Sequence, residues 1–274
     1  MRKKAGGGPE ALKTAERDKR PALKKQTFLF ITIFMDSQMM KQLEAVRQRI
    51  RRAAEKSGRT ENDVQIVAVS KYAAIGDGII DEFLENGLCS LGESRPQLLY
   101  EKAKYHAGKT IHWHLIGQLQ RNKIRRILPL ITLIHSIDSL KLAEAVNRIA
   151  EEDGIETVHC LLEIAVSQDA NKTGFKITDV PELSGKLAAL KHLSIDGLMT
   201  LASLESGEKQ THQEFASLRK LAETLRQHGL PPNMPLHTLS MGMSGDFETA
   251  VEEGATCVRL GSVLYPGNEI GRHQ

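Results

Sequence analysis

Apolar residues along this chain follow a helical period first and then a repeating alternation of short runs and helical stretches. Leu43, Val46, Ile50, Ala53 and Ala54 recur at helical spacing with Arg and Lys between them, and Gly58 supplies a stop. This predicts an amphipathic first helix. Eight short apolar runs follow, at residues 64–70, 88–91, 111–116, 131–136, 158–165, 193–198, 236–239 and 257–260. Helix-patterned segments separate them, most clearly at 139–153 and 208–228. Strands alternating with helices pair in parallel. Gln65-Ile66-Val67-Ala68-Val69 is apolar at consecutive positions, as a strand covered on both faces requires. An initial helix and eight such units in roughly 230 residues predict a closed (β/α)8 TIM-type barrel in one domain. An open doubly wound sheet is the rival, but Ser70-Lys71-Tyr72-Ala73-Ala74 stands where its Gly-rich fingerprint would follow the first strand. The expected division is a basic, disordered extension over residues 1–37 and a barrel over 38–270.

Composition narrows the function classes. The 274 residues are 41% hydrophobic and 26% charged, the balance of an ordinary soluble protein. The net charge of +3 is uneven. Residues 1–35 hold nine Lys/Arg against three Asp/Glu, so the remaining 239 carry a net −3. A mildly acidic folded part does not indicate a general nucleic-acid-binding surface. The uncharged apolar run at residues 28–35 falls short of the roughly 20 residues that cross a bilayer. Basic residues ahead of it resemble the start of a secretory signal, but no small-residue cleavage site follows. The stretch reads as an extension or an over-long start, with Met35, Met39 and Met40 as alternative beginnings. Cys89, Cys160 and Cys257 are odd in number and scattered, which points to buried thiols in a reducing cytosol rather than disulfides or zinc.

In a (β/α)8 barrel the chemistry sits where strands end. The first strand ends in Ser70-Lys71; spacing alone favours a solvated Lys at a strand end, whereas desolvation at the barrel mouth would make Lys71 a nucleophilic amine. The seventh ends in Leu239-Ser240-Met241-Gly242-Met243-Ser244-Gly245-Asp246, and the eighth in Val258-Arg259-Leu260-Gly261-Ser262. Glycines, hydroxyls, a cation and a helix N-terminus at these two loops suit a phosphate. The plainer account is two tight turns with Ser244 as a helix cap. His112 and His114 share a strand face, and a hydrogen-bonded or ring-stacked His114 is favoured over a metal pair. Trp113 would then pack under the helices. Asp138 is read as a cap for the next helix. Arg121, Lys123, Arg125 and Arg126 form a basic cluster on the third helix, read as a solvated face.

Taken together, these stretches resemble the pyridoxal phosphate homeostasis protein family, similar to the barrel domain of alanine racemase, a fold type III arrangement for pyridoxal 5'-phosphate (PLP). The matching pieces run in order through residues 38–267. They include Val67-Ala68-Val69-Ser70-Lys71, Gly92-Glu93-Ser94-Arg95, Trp113-His114-Leu115-Ile116-Gly117, Ser136-Ile137-Asp138, Lys172-Thr173-Gly174-Phe175, Gly197-Leu198-Met199-Thr200 and the two C-terminal motifs. The resemblance implies that Lys71 is the Schiff-base lysine. It implies that Ser240, Gly261 and Ser262 hold the phosphate, with Met241, Gly242 and Ser244 lining the cradle. Arg259 would face the pyridine nitrogen, and His114, Met199 and Ser94 would adjoin the ring. Ser94 stands where the family usually has Asn, which alters a contact near the ring. Ser262 replaces Thr and keeps the hydroxyl.

The expected function is therefore PLP binding for intracellular homeostasis: storage, buffering or delivery of cofactor. A racemase on this barrel takes a second acid/base from another domain, and the chain ends seven residues after Gly267. A non-catalytic, cytoplasmic, monomeric carrier with PLP-dependent apo-enzymes as partners is the leading expectation. The alternatives are a PLP-dependent racemase or lyase using Lys71, a barrel enzyme acting on a phosphorylated metabolite, and a partner-binding module built on the basic third helix. Tyr72 adjoins Lys71 but would point to the opposite face of a strand.

Overall fold

The computed structural model describes residues 19–167, 173–203 and 207–265, with the backbone alone for residues 19–37. Helix α1 (Lys19–Lys56) begins inside the stretch expected to be a disordered extension, and residues 1–18 lie outside the described residues. Pro21 falls in its first turn, where a missing N–H costs nothing, and no Gly or Pro interrupts it from Ala22 to Lys56. The face expected from the sequence, Leu43, Val46, Ile50, Ala53 and Ala54, is the one buried, and Met39 extends it.

All eight expected strands are present: β1 (Gln65–Val69), β2 (Ser90–Glu93), β3 (His112–Leu115), β4 (Leu133–Ile137), β5 (Val158–Ala165), β7 (Leu193–Met199), β8 (Thr238–Ser240) and β9 (Cys257–Leu260). Each pairs in parallel with its neighbours, β1 pairs with β9, and β4 with β5, so the sheet closes into a barrel. The two-residue β6 (Phe175–Lys176), too short to leave a periodic signal, pairs with β5 outside the ring. The helices between strands are α2 (Ile79–Glu85), α3 (Pro96–Tyr105), α4 (Ile124–Ile127), α5 (Leu140–Glu152), α6 (Val180–Ala188), α7 (Glu208–Gln227) and α8 (Phe247–Glu252).

After β9 the described chain forms one 3-10 turn (Ser262–Leu264), so the place of a last helix is filled by α1. Arg49 bonds Glu248 at 2.6 Å, and Arg59 donates to the carbonyls of Val251 (2.6 Å) and Ala255 (2.9 Å). Strand alternation sorts the core into two environments. Leu162 and Ile164 of β5 join the large core beneath the helices. Leu161 packs with Leu133 and Met199 in a separate cluster on the barrel axis. Among the described residues no helix is long and apolar enough to cross a membrane.

Candidate functional site

Strand β1 hands over to a 3-10 turn, Ser70–Tyr72, which carries Lys71 to the C-terminal rim. A buried ion pair holds this turn in place. Lys102 on α3 bonds Glu93 at 2.6 Å and donates to the Ser70 carbonyl at 2.6 Å, with both charged side chains almost wholly enclosed. The other oxygen of Glu93 accepts from the backbone N–H groups of Ser94 (2.9 Å) and Arg95 (3.2 Å). Lys71 and Ser94 thus stand on two loops tied to one carboxylate.

Two expectations at this rim change. Lys71 is exposed rather than desolvated, because the turn lifts it off the barrel wall. Tyr72 does not point away from it: the strand ends at Val69, and the Lys71 Nζ lies 4.7 Å from the Tyr72 ring centroid. Tyr72 in turn packs edge-on against Tyr265, whose hydroxyl donates to the Val69 carbonyl at 2.8 Å.

Below the rim a polar chain crosses the barrel interior. Arg259 on β9, 3% exposed, donates from Nη1 to Ser240 Oγ (2.6 Å) and from Nη2 to the Thr200 carbonyl (2.8 Å). Ser240 on β8 meets His135 Nδ1 at 2.9 Å, and His135 Nε2 meets His114 Nδ1 at 2.9 Å. Burial, with His112 beside it, lowers His114 to about 4. Burial, then the neighbouring His114 and Arg259, pushes His135 well below its ordinary value. Both imidazoles are therefore neutral at physiological pH. Burial also lowers Arg259, opposed by Cys257, Asp246 and Glu163, but a guanidinium remains charged. His112, by contrast, is exposed at the other end of β3, and Trp113 packs under the helices as expected.

The C-terminal loops form the second part of the site. Ser244 is not a helix cap: α8 starts after Asp246, and Ser244 Oγ accepts from the N–H groups of Gly261 (3.1 Å) and Val263 (3.4 Å). It joins the two loops expected to form a phosphate cradle. Gly242 has φ +94°, and a Cβ there would lie 2.6 Å from that of Ala250, so this turn accepts glycine alone. Met241 is buried, and Ser262 opens the 3-10 turn half-buried. The structure brings together Ser244, Gly261 and Ser262, and separately His114, Ser240 and Arg259. Ser240 belongs to the interior chain through its hydroxyl. Met199 lines the axis, 1% exposed.

Sequence reasoning missed His135, Thr200 and Glu163. A usable signal existed for two of them: a lone His in Leu133-Ile134-His135-Ser136-Ile137 and a lone carboxylate in Leu161-Leu162-Glu163-Ile164. Glu163 shares the axial face of Leu161, accepts from Thr173 Oγ1 at 3.0 Å, and is raised by burial. Asp138 does not cap α5; Ser139 does, accepting from the Leu142 N–H at 3.3 Å. The expected third helix is a 3-10 turn, Arg121–Lys123, followed by the four-residue α4. Arg125 pairs with Asp153 at 3.0 Å, and Arg126 stacks 3.8 Å from the Tyr100 ring centroid.

Comparison with known proteins agrees with this architecture. The family described as alanine racemase, N-terminal domain, matches residues 42–269. A pyridoxal phosphate homeostasis protein of Aquifex aeolicus is 34% identical over 223 residues, covering 81% of this chain and 95% of that protein. The structure of PipY of Synechococcus elongatus with PLP bound is 34% identical, with a TM-score of 0.72 over 83% of this chain and all of that one. Alanine racemase of Clostridium difficile, 17% identical with a TM-score of 0.67, shares the fold over 62% of its length. The chain belongs to the pyridoxal phosphate homeostasis proteins, within the alanine racemase N-terminal domain family.

Proposed function

We propose that this chain binds PLP at the C-terminal mouth of the barrel and serves in PLP homeostasis as a carrier or buffer. The observation that carries the reading is a buried guanidinium, Arg259, whose two hydrogen-bond partners are neutral groups. A cation so placed favours an electron-rich ligand above it. The N–H groups now taken by Ser244 suit a phosphate, and Lys71, on the 3-10 turn that follows the neighbouring strand β1, supplies the amine. When bound, the cofactor supplies an aldehyde for an amine and an electron-withdrawing ring. Lys71 would hold it covalently, Ser244, Gly261 and Ser262 would hold its phosphate, and Met199, Ser94 and His114 would border the ring. Arg259 would meet the ring nitrogen as a fixed cation. Without a proton on that nitrogen, the ring is a weaker electron sink, which suits storage better than transamination. Relatives named for homeostasis support the carrier reading. Apo-enzymes are the partners we propose, with a monomer in the cytoplasm as the working form.

Tyr72 beside Lys71 favours one second reading, an amino-acid racemase or lyase with Lys71 and Tyr72 as its acid/base pair. Visible absorbance of protein incubated with PLP tests the first reading. A yellow band that borohydride bleaches, and that Lys71→Ala lacks, is expected; no band in the wild type overturns it. Exchange of an amino acid's α-proton into deuterated water, lost in Tyr72→Phe, would favour the enzyme.

A further inference from the structure

The interior chain has a direction that its donors impose. Arg259 can only donate, so Ser240 Oγ accepts at 2.6 Å and has its own proton to place. Two acceptors are in reach: His135 Nδ1 at 2.9 Å, and the Cys257 thiol. An imidazole nitrogen is a far stronger acceptor than sulfur, so the proton goes to His135 Nδ1. A neutral His135 then carries its hydrogen on Nε2 and donates it to His114 Nδ1, 2.9 Å away. A neutral His114, accepting on Nδ1, must carry its hydrogen on Nε2. The sense of every bond follows from one permanent cation three hydrogen bonds from the far end of the chain.

We propose that His135 is a positioning residue: through Ser240 it locks the Arg259 guanidinium, and through its own Nε2 it fixes His114 as the Nε2–H tautomer. The barrel interior then meets a bound ring with a cation and a donor N–H, and not with the bare lone pair of an imidazole. Such a lining selects phosphorylated rings rich in lone pairs or anionic oxygen over cationic ones. The inference rests on the PLP reading for its ligand, but not for its tautomers.

The charged groups facing the two imidazoles act in the same sense, while Cys257, Asp246 and Glu163 face Arg259 and favour its charge. His114 is faced by His112 and His135, and His135 by His114 and Arg259, so protonating either imidazole would add a positive charge beside another. Long-range 1H–15N spectra of the apo-protein between about pH 5.5 and 8, spanning the ordinary imidazole value of about 6.5, read the tautomers directly. Both histidines are expected as Nε2–H throughout. An Nδ1–H signal from His114, with the Ser240 proton therefore on Cys257, overturns the proposal, as does titration of either near the ordinary value.

Two variants add a binding readout. His135→Gln can accept from Ser240 and donate to His114, and is expected to keep PLP affinity within about twofold. His135→Leu can do neither; PLP affinity is expected to fall about tenfold, the worth of one lost hydrogen bond, with mixed tautomers at His114. A folded His135→Leu with wild-type affinity and an unchanged His114 signal sinks the idea. If the leucine variant does not fold, the wild-type tautomers and the glutamine variant decide the matter. A wild type that fails to bind PLP counts against the proposed function, and the apo-protein spectra still judge the relay.

Discussion

Glu163 shows how one side chain carries a cost that the fold tolerates. It points along the barrel axis among Leu161, Met199 and the polar chain, and burial raises its carboxyl, only partly offset by the Thr173 hydrogen bond and by Arg259. A carboxyl raised in the folded state binds its proton more tightly there than in the unfolded chain. It therefore costs stability above its folded pKa, and that cost fades as pH falls through it. Glu163→Gln keeps an acceptor for Thr173 without the charge. Its urea midpoint is expected above that of the wild type at neutral pH, the gap closing as the solution is acidified into the ordinary carboxylate range. A constant gap would show that packing, not ionisation, separates the two. Gly117 illustrates a different limit at this scale. A Cβ there would lie 2.2 Å from the Ser94 carbonyl, so the loop bearing Ser94 depends on a glycine in the next strand's turn.

At the scale of elements, the ion pair of Lys102 and Glu93 ties α3 to the ends of β1 and β2. Both partners are enclosed, and their remaining bonds go to backbone groups of Ser70, Ser94 and Arg95. Removing one partner strands a buried charge, at a cost of about 3–5 kcal/mol. Lys102→Met is expected to lose stability on that order in chemical denaturation and to weaken PLP binding by moving the turn of Lys71. Adding Glu93→Gln should recover much of the stability but little of the binding, because the Ser70 carbonyl still lacks its anchor. Equal recovery of both would mean that the pair matters for stability alone. None of this was legible from the motif Gly92-Glu93-Ser94-Arg95. The reading of those residues looked to the cofactor ring, whereas Glu93 faces outward to a helix.

For the whole molecule, α1 closes the helical ring where the described chain places no helix after β9. Among the residues whose side chains are described, its buried face runs from Met39 to Ala54, and its Arg49 and Lys56 bond Glu248 and Glu252 of α8. A chain started at Met35 keeps that whole face and, with residues 1–34 read as an extension, is expected to melt within about 2 °C of the full one. One started after Lys56 should fail to fold, since it exposes a face of the barrel core. A large loss in the Met35 form, measured by thermal unfolding, would assign a packing role to the segment before it.

The sequence alone determined the barrel, because eight doubly buried strands separated by helices leave little else that covers both faces of a parallel sheet. It also located Lys71, Ser244, Arg259 and Gly261 at strand ends, since motif and strand boundary coincide there. Tertiary structure decided who meets whom. His114, His135, Ser240 and Arg259 come from four strands, and their chain of hydrogen bonds depends on inward alternation and barrel register, which no local pattern encodes. It also decided that Tyr72 lies beside Lys71: one turn of 3-10 helix in place of a last strand residue reverses the direction of a side chain.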